Sequence, residues 1–126
     1  MNKSLVISLD GMGGDNAPDI VVKGAALARE RLPQASFLLY GDQKRLKPLV
    51  DAQPHLKGCV DIRHTDQVVA NTDKPSVALR KGKQSSMRLA IDAVRNGEAS
   101  GVVSAGNTGA LMAMAKMILK TLPGIH

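Results

Sequence analysis

The stretch Ile7–Gly24, ISLDGMGGDNAPDIVVKG, decides the fold class because an apolar run passes through a glycine-rich turn into a helical pattern. The run LVISL, Leu5–Leu9, is nearly continuous in apolar residues, which is typical of a parallel strand buried on both faces. After the turn, apolar and small side chains recur at helical spacing. The stretch therefore predicts a strand, a tight polar turn and a helix in direct succession.

The predicted helix covers residues 17–32, APDIVVKGAALARERL. Asn16 is a suitable N-cap, Pro18 fits the first turn, and Asp19 favours the positive end of the helix dipole. Pro33 stops the helix because it cannot continue the hydrogen-bond ladder.

A second unit of the same kind occupies SAGNTGALMAMAKMILK, Ser104–Lys120, which overlaps the end of the predicted strand Gly101–Ala105. Its helix should run from about Thr108 to Thr121. The helix is apolar on nearly every side, at Leu111, Met112, Met114, Ala115, Met117, Ile118, Leu119 and Leu122. Such a helix needs cover all round, which predicts a dimer partner together with the rest of a longer chain.

Between these units the sequence predicts strands at Ser36–Gly41 and Cys59–Thr65, a polar helix within 42–53, and one or two short helices within 66–84. A further helix, SSMRLAIDAVRNG, has Ser85 or Ser86 as its cap and ends at Gly97. Strands that alternate with helices predict βαβ units with helices on both faces. We therefore expect residues 1–126 to form one α/β domain, a three-layer α/β/α sandwich with a mainly parallel sheet.

The aromatic content, the cysteine count and the distribution of apolar residues argue against several classes of function. Aromatic residues make up 2% of the 126 residues and Trp is absent, which argues against the stacking platforms that bind single-stranded nucleic acid. The single cysteine allows no internal disulfide and fits a reducing compartment. The sequence has neither a signal-peptide pattern nor a run of ~18 apolar residues. We expect a cytoplasmic protein that binds no nucleic acid.

The net charge of +6 favours acidic partners, and part of it is clustered. The cluster lies between residues 74 and 88, with no acidic residue among them, and comprises Lys74, Arg80, Lys81, Lys83 and Arg88. Two interpretations stand side by side: a solvated helix face, or a docking surface for an acidic partner.

Both glycine-rich turns should lie beyond the carboxyl ends of strands, where open α/β sheets bind ligands. In SAGNTGA, Gly106 and Gly109 allow close approach of an anion to the start of a helix, and Ser104, Asn107 and Thr108 add donors. The alternative is an Asn or Thr cap without a ligand. Neither turn has the spacing of a dinucleotide fingerprint or a P-loop.

In DGMGGDNAP, Asp10 and Asp15 flank the glycines, so a pyrophosphate would fit poorly there. These carboxylates could hold donors, orient a basic side chain, help to bind a cation, or only brace the turn. The histidines, His55, His64 and His126, are scattered, and neither a Ser-His-Asp set nor metal-ligand spacing can be assembled. We therefore assign no metal-ligating residues and no cofactor, and the sequence leaves metal dependence open.

Three segments, DGMGGDNAP, KPSVALRKGKQSSMRLAIDAV and SAGNTGALMA, occur in this order and together resemble the phosphate acyltransferases of bacterial phospholipid synthesis, the PlsX family. The resemblance extends along the whole chain to the closing LPGI. It departs mildly at Gly11, where the family commonly has Ala. Members are much longer, so this chain resembles their N-terminal portion, and part of the site would lie beyond His126.

The resemblance implies a reaction in which an acyl-[acyl carrier protein] and inorganic phosphate give an acyl phosphate and the free carrier. It also implies a fold similar to phosphotransacetylases and isocitrate-dehydrogenase-like enzymes, and a homodimer. Members can associate peripherally with the inner face of the membrane, and their product feeds glycerol-3-phosphate acylation. Because phosphate is the nucleophile, no Ser or Cys nucleophile is required.

The candidate site residues fall into three groups. Phosphate or the oxyanion would be bound by Ser104, Gly106, Asn107, Thr108 and Gly109. The facing wall would comprise Asp10, Gly13, Gly14, Asp15 and Asn16, and Asn107, Thr108 and Asp15 are the catalytic candidates. The carrier protein would contact Lys74, Arg80, Lys81, Lys83 and Arg88.

Two other classes remain open from the sequence. One is a nucleotide-binding oxidoreductase domain, against which the glycine spacing counts. The other is a module that folds, dimerises and binds a carrier without turnover.

Overall fold

The computed structural model describes residues 5–119, which form a parallel sheet flanked by helices. The strands are β1 (Leu5–Asp10), β2 (Ala35–Gly41), β3 (Val60–His64) and β4 (Gly101–Val103). The helices are α1 (Asp19–Arg31), α2 (Gln43–Asp51), α3 (Pro75–Lys81), α4 (Ser86–Arg95) and α5 (Thr108–Leu119), with a short 3-10 helix at Pro54–Leu56.

The strand order is β3-β2-β1-β4, and every pairing is parallel. From β1 the chain moves outward to β2 and β3, and it then returns to place β4 on the other side of β1. Leu9 of β1 is therefore in register with Leu39 of β2 on one side and Val103 of β4 on the other. The order reverses between β1 and β4, which makes this the switch point of the sheet.

Alternating residues of the strands face different helices. On one face, Leu9, Phe37 and Leu39 pack in a cluster with residues of α1 and α2. On the other face, Leu38 and Tyr40 pack with residues of α4. A third cluster joins α3, α4 and α5. Helices thus cover both faces, and the predicted three-layer α/β/α sandwich is confirmed.

The start of α1 differs from the prediction. The capping position is Pro18, and no side chain caps the helix, so the prediction of Asn16 as N-cap is wrong. The turn at residues 14–18 carries the chain into the helix, and the Asn16 carbonyl accepts from Ile20 N at 3.2 Å. Asn16 lies too early in the chain for its side chain to cap a helix that begins at Asp19. The predicted acidic residue in the first turn, Asp19, is present.

Helix α4 begins as predicted, with Ser85 as its cap. Ser85 Oγ accepts from Arg88 N at 3.2 Å and donates to the Gly82 carbonyl at 2.6 Å. The second contact also fixes the turn that links α3 to α4. The segment 66–84 contains one short helix, α3, as the sequence allowed.

Helix α5 buries one stripe of its surface, at Ala110, Met114 and Ile118. The side chain of Met112, on a different side, is 65% exposed. The predicted end of this helix at Thr121, and the apolar position Leu122, lie outside the described residues. The expectation of further cover for α5 stays a prediction.

The cap of α4 gives a direct test of this arrangement. Ser85→Ala removes the side-chain acceptor for Arg88 N and should lower the free energy of unfolding by about 1 kcal/mol. The measurement is urea unfolding beside Ser76→Ala, which truncates an exposed serine of α3. Equal midpoints for the two variants would contradict the capping role.

Candidate functional site

The two glycine-rich loops lie side by side at the carboxyl edge of the sheet. Residues 11–18 follow β1 and residues 104–107 follow β4, and these strands are neighbours where the strand order reverses. In open α/β sheets the crevice at such a switch point is where ligands bind. The structure therefore brings the two predicted halves of the site together.

The loops touch through their glycines. A Cβ at Gly106 would lie 3.3 Å from Gly13 Cα and 3.0 Å from Met87 Cε. A Cβ at Gly13 would lie 3.0 Å from Gly106 N and would overlap the carboxylate of Asp10. A side chain at Gly13 would overlap Asp10, whereas one at Gly106 would require Met87 or the Gly13 backbone to shift by a few tenths of an ångström.

Asp10 ends β1 and is buried between the loops, with 2% of its surface exposed. Its Oδ1 accepts from Ser86 Oγ at 2.6 Å and from Met12 N at 3.2 Å, and its Oδ2 accepts from Ser104 Oγ at 2.8 Å. Of the roles that the sequence left open for this carboxylate, the structure shows two: it holds donors from Ser86 and Ser104, and it braces its own turn through Met12 N. The sequence indicates Ser86 only as a helix cap, because a partner 76 residues away leaves no local signal.

Ser104 is committed to this contact. Its hydroxyl donates to Asp10, and its oxygen accepts from Gly106 N at 3.1 Å. The hydroxyl proton therefore points at the carboxylate rather than at an anion. Ser104 lies directly after β4, which ends at Val103 rather than at the predicted Ala105.

Asn107 uses both ends of its amide within the fold. Its Oδ1 accepts from Ala110 N at 3.1 Å, which caps α5. Its Nδ2 donates to the carbonyl oxygens of Ala70, Asn71 and Asp73, at 3.0, 3.3 and 2.8 Å. Any contact between this amide and phosphate would have to share or replace one of these bonds. The capping role that the sequence offered as the alternative is present.

A third loop, residues 70–73, joins the other two. Asn71 Nδ2 donates to Asp15 Oδ1 at 2.8 Å, so the facing loop is tied to the loop that Asn107 holds. Asp15 and Asn16 are both exposed. The sequence gives no signal for the 70–73 loop, because its contacts to Asn107 are made by backbone carbonyls and the partner of the Asn71 side chain lies 56 residues away.

The start of α5 is the part of the site that stays open. Thr108 and Gly109 are exposed, and a Cβ at Gly109 would lie 3.1 Å from Pro75 Cγ, which places the start of α3 beside it. The first N–H groups of a helix have no acceptor within the helix, and they form its positive end. With the exposed Lys74 just before Pro75, this surface presents donors and a cation.

The predicted basic cluster divides in the structure. Lys74, Arg80, Lys81 and Lys83 are exposed on and beside α3, which leaves their charges accessible. The side chain of Arg88 is only 14% exposed, and its Nε lies 3.3 Å from Asp92 Oδ1. Arg88 is therefore largely buried and paired within α4, and the structure does not support it as a surface cation of this cluster.

The shifted pKa values of the described residues lie in a separate cluster. Burial raises the pKa of the Tyr40 hydroxyl, which the Arg63 guanidinium opposes. A hydrogen bond to Glu98, 2.7 Å long, raises the pKa of Arg63. This cluster links β2, β3 and the residues after α4, and it shares no residue with the glycine-rich loops.

Residues 5–119 contain neither a cluster of metal-ligating side chains nor a membrane-spanning helix. Across residues 5–119, three or more His, Cys, Asp or Glu side chains nowhere gather as a set that could hold a metal ion. Over the same range, the helices are all too short or too polar to cross a membrane.

His64, one of the scattered histidines, accepts a hydrogen bond from Gln43 N through Nδ1 at 3.1 Å.

An α/β sandwich with two glycine-rich loops at its switch point defines the class of fold, and comparison with known proteins defines the family. The model of the family described as "Fatty acid synthesis protein" matches residues 5–126. The chain belongs to this family. The resemblance drawn from the three sequence segments is thereby confirmed.

Individual relatives agree with this assignment. The chain is 61% identical over 125 residues to a phosphate acyltransferase of Rhodospirillum centenum, across 99% of this chain and 35% of that protein. It is 60% identical to a phosphate acyltransferase of Rhodospirillum rubrum, across 99% of this chain and 36% of that protein. It is 53% identical to one of Parvibaculum lavamentivorans, across 100% of this chain and 35% of that protein. The chain thus spans about a third of the length of the curated relatives that it matches.

The surroundings of Gly13 and Gly24 predict that substitution by alanine has opposite effects on stability at these two positions. Gly13→Ala forces a Cβ into the Asp10 carboxylate and should destabilise the protein by about 1–3 kcal/mol. Gly24→Ala is the matched control, because a Cβ there meets nothing within 4 Å and α1 should gain about 0.5–1 kcal/mol. Thermal midpoints report both effects, and a Gly13→Ala variant as stable as Gly24→Ala would refute the contact.

Proposed function

We propose that this chain forms part of a phosphate acyltransferase, which moves a fatty acyl group from acyl carrier protein to inorganic phosphate. A phosphate oxygen attacks the carbonyl carbon of the thioester, the carbon–sulfur bond breaks, and the carrier leaves as its thiol. The observation that carries the proposal is the family match over residues 5–126, together with relatives that bear this name at 61% and 60% identity.

The exposed start of α5 supports a phosphate site. A thioester attacked by phosphate needs an anion cradle, correct positioning and donors for the developing oxyanion, and it needs no protein nucleophile. Thr108 and Gly109 provide a hydroxyl and free N–H groups at a positive helix end, with Lys74 beside them. Asp15, exposed on the facing loop, is our candidate to accept a hydrogen bond from a protonated phosphate oxygen.

The remaining site candidates take supporting roles in this proposal. Ser104 and Asp10 hold the loops in place, Gly13 and Gly106 let them meet, and Asn107 caps α5. Gly14 and Asn16 complete the facing wall. The phosphate therefore contacts the backbone and hydroxyl of the α5 start more than the amide of Asn107.

The exposed cations around α3 support docking of the acyl carrier protein. Lys74, Arg80, Lys81 and Lys83 form a surface of one sign, and an acidic carrier would be steered toward it. Lys74 belongs both to this surface and to the rim of the phosphate site. The same helix would thus bring the carrier close to the bound phosphate.

We also propose that residues 1–126 are the N-terminal part of a longer, homodimeric, cytoplasmic protein that associates peripherally with the inner face of the membrane. The share of the relatives that the chain spans, 35%, supports the longer protein. An open groove of about 330 Å³ between α1 and β4 offers a surface for further packing, and its apolar lining includes Ile20, Phe37 and Val103. The exposed Met112 of α5 is a second such surface.

One experiment tests the proposed reaction. The protein encoded by the complete reading frame is incubated with palmitoyl-[acyl carrier protein], and acyl phosphate is measured with and without inorganic phosphate. We expect a phosphate-dependent product. Absence of product with carriers of several acyl lengths would overturn the proposed function while leaving the family and fold intact.

The phosphate site predicts a specific effect at Thr108. Thr108→Ala removes the exposed hydroxyl and should raise the KM for phosphate about tenfold, the loss of roughly one charge-assisted hydrogen bond. Thr108→Ser keeps the hydroxyl and should stay near the wild-type value. Thr72→Ala, an exposed threonine in the adjoining loop, is the matched control. A phosphate KM unchanged by Thr108→Ala would remove this hydroxyl from the site.

The carrier surface predicts a salt-dependent effect. Arg80→Glu with Lys83→Glu should raise the KM for the acyl carrier about tenfold or more at low salt, with a smaller effect at high ionic strength. The control is Lys44→Glu with Arg45→Glu, which makes the same charge change at exposed positions of α2. Equal effects of the two pairs would show that only net charge matters and that α3 is a solvated face.

A further inference from the structure

We propose that Ser86 is a positioning residue that sets the geometry of the phosphate-binding start of α5 through Asp10. The inference rests on the proposed function, since phosphate is the substrate whose binding it explains. Ser86 is the first residue of α4 and makes no contact with the candidate phosphate site itself in the hydrogen bonds described. Its influence passes through a buried carboxylate.

The contact is direct and shielded from water. Ser86 is 0% exposed and Asp10 is 2% exposed, and Ser86 Oγ donates to Asp10 Oδ1 at 2.6 Å. The capping of α4 belongs to Ser85, whose Oγ accepts from Arg88 N. The hydroxyl of Ser86 is therefore free of the helix cap and directed at the carboxylate.

A chain of hydrogen bonds leads from this hydroxyl to the loop. Asp10 Oδ2 accepts from Ser104 Oγ at 2.8 Å, and Ser104 Oγ accepts from Gly106 N at 3.1 Å. Gly106 lies two residues before Thr108, where α5 begins. The two hydroxyls hold the two oxygens of one carboxylate, so the orientation of that carboxylate is fixed from both sides.

The orientation of the Asp10 carboxylate matters because both glycine-rich loops pack against it, so a rotation of the carboxylate would displace them. A Cβ at Gly13 would overlap it, and a Cβ at Gly106 would lie 3.4 Å from its Oδ2, so both loops pack closely on it. Without Ser86, Oδ1 keeps only the longer bond from Met12 N, at 3.2 Å. A buried carboxylate that loses a donor moves to regain one. Any such movement pulls on Ser104 and hence on the backbone of residues 104–106.

The test compares buried serines in the protein of the complete reading frame. Ser86→Ala should raise the KM for inorganic phosphate about tenfold while kcat changes less than about threefold, because it removes a hydrogen bond to a charged group that orders the binding loop. Ser8→Ala is the matched control. Ser8 is also 0% exposed and donates to the Ala90 carbonyl at 2.6 Å, yet it does not contact Asp10 in the described hydrogen bonds.

Two further readouts separate positioning from a loss of stability. Amide hydrogen exchange at Gly106 should accelerate at least about tenfold in Ser86→Ala and stay unchanged in Ser8→Ala, since exchange follows local opening. In an Asp10→Asn background, adding Ser86→Ala should change the phosphate KM by less than about twofold, because residues that act through one contact are not additive.

The outcomes are distinct. A wild-type protein without phosphate-dependent turnover would overturn the proposed function and with it the role of Ser86 toward phosphate. An active wild type with an unchanged phosphate KM in Ser86→Ala, or with equal effects of Ser86→Ala and Ser8→Ala, would overturn the positioning role alone. A raised phosphate KM and faster Gly106 exchange confined to Ser86→Ala would support it.

Discussion

The carboxylate of Asp10 is the interaction on which the site depends. It lies at the end of β1 and is bound by hydroxyls from α4 and from the loop after β4. A buried carboxylate is stable only when donors surround it. The requirement ties β1 to two elements that lie 76 and 94 residues further along the chain. The glycine at position 13 follows from the same constraint, because a Cβ there would overlap this group, and Gly106 packs tightly against Gly13 on the other loop.

Several hydrogen-bond donors of the loops are already engaged within the protein, and this limits which donors remain for a ligand. Ser104 gives its proton to Asp10, and Asn107 divides its amide between the cap of α5 and the carbonyls of residues 70–73. The polar residues of SAGNTGA are thus mainly the scaffold of the loop. What they build is an exposed helix start at Thr108 and Gly109, with a cation at Lys74 beside it. A loop held by these hydrogen bonds is consistent with the proposed anion site, because a preorganised site has little order to gain on binding.

Much of the architecture could be predicted because it is encoded in local patterns. The apolar run LVISL specified a parallel strand, and Ser85 specified the start of α4. The failures have tertiary causes. Asn16 was expected to cap α1, but the helix begins three residues later, at Asp19. Arg88 was grouped with surface cations, but packing buries it beside Asp92. Ser86 and Asn71 were missed as parts of the site, because their partners lie 76 and 56 residues away.

The sequence by itself determined the class of fold, the family and the position of the two glycine-rich loops, since strand and helix periodicity and the glycine-rich motifs are local properties of the chain. Only the tertiary structure decided what each polar residue of those loops does. A hydroxyl or an amide carries the same atoms whether it holds a substrate or the protein itself. Which of the two it does depends on whether the fold brings a buried carboxylate or a backbone carbonyl within reach, and that is set by packing between distant segments.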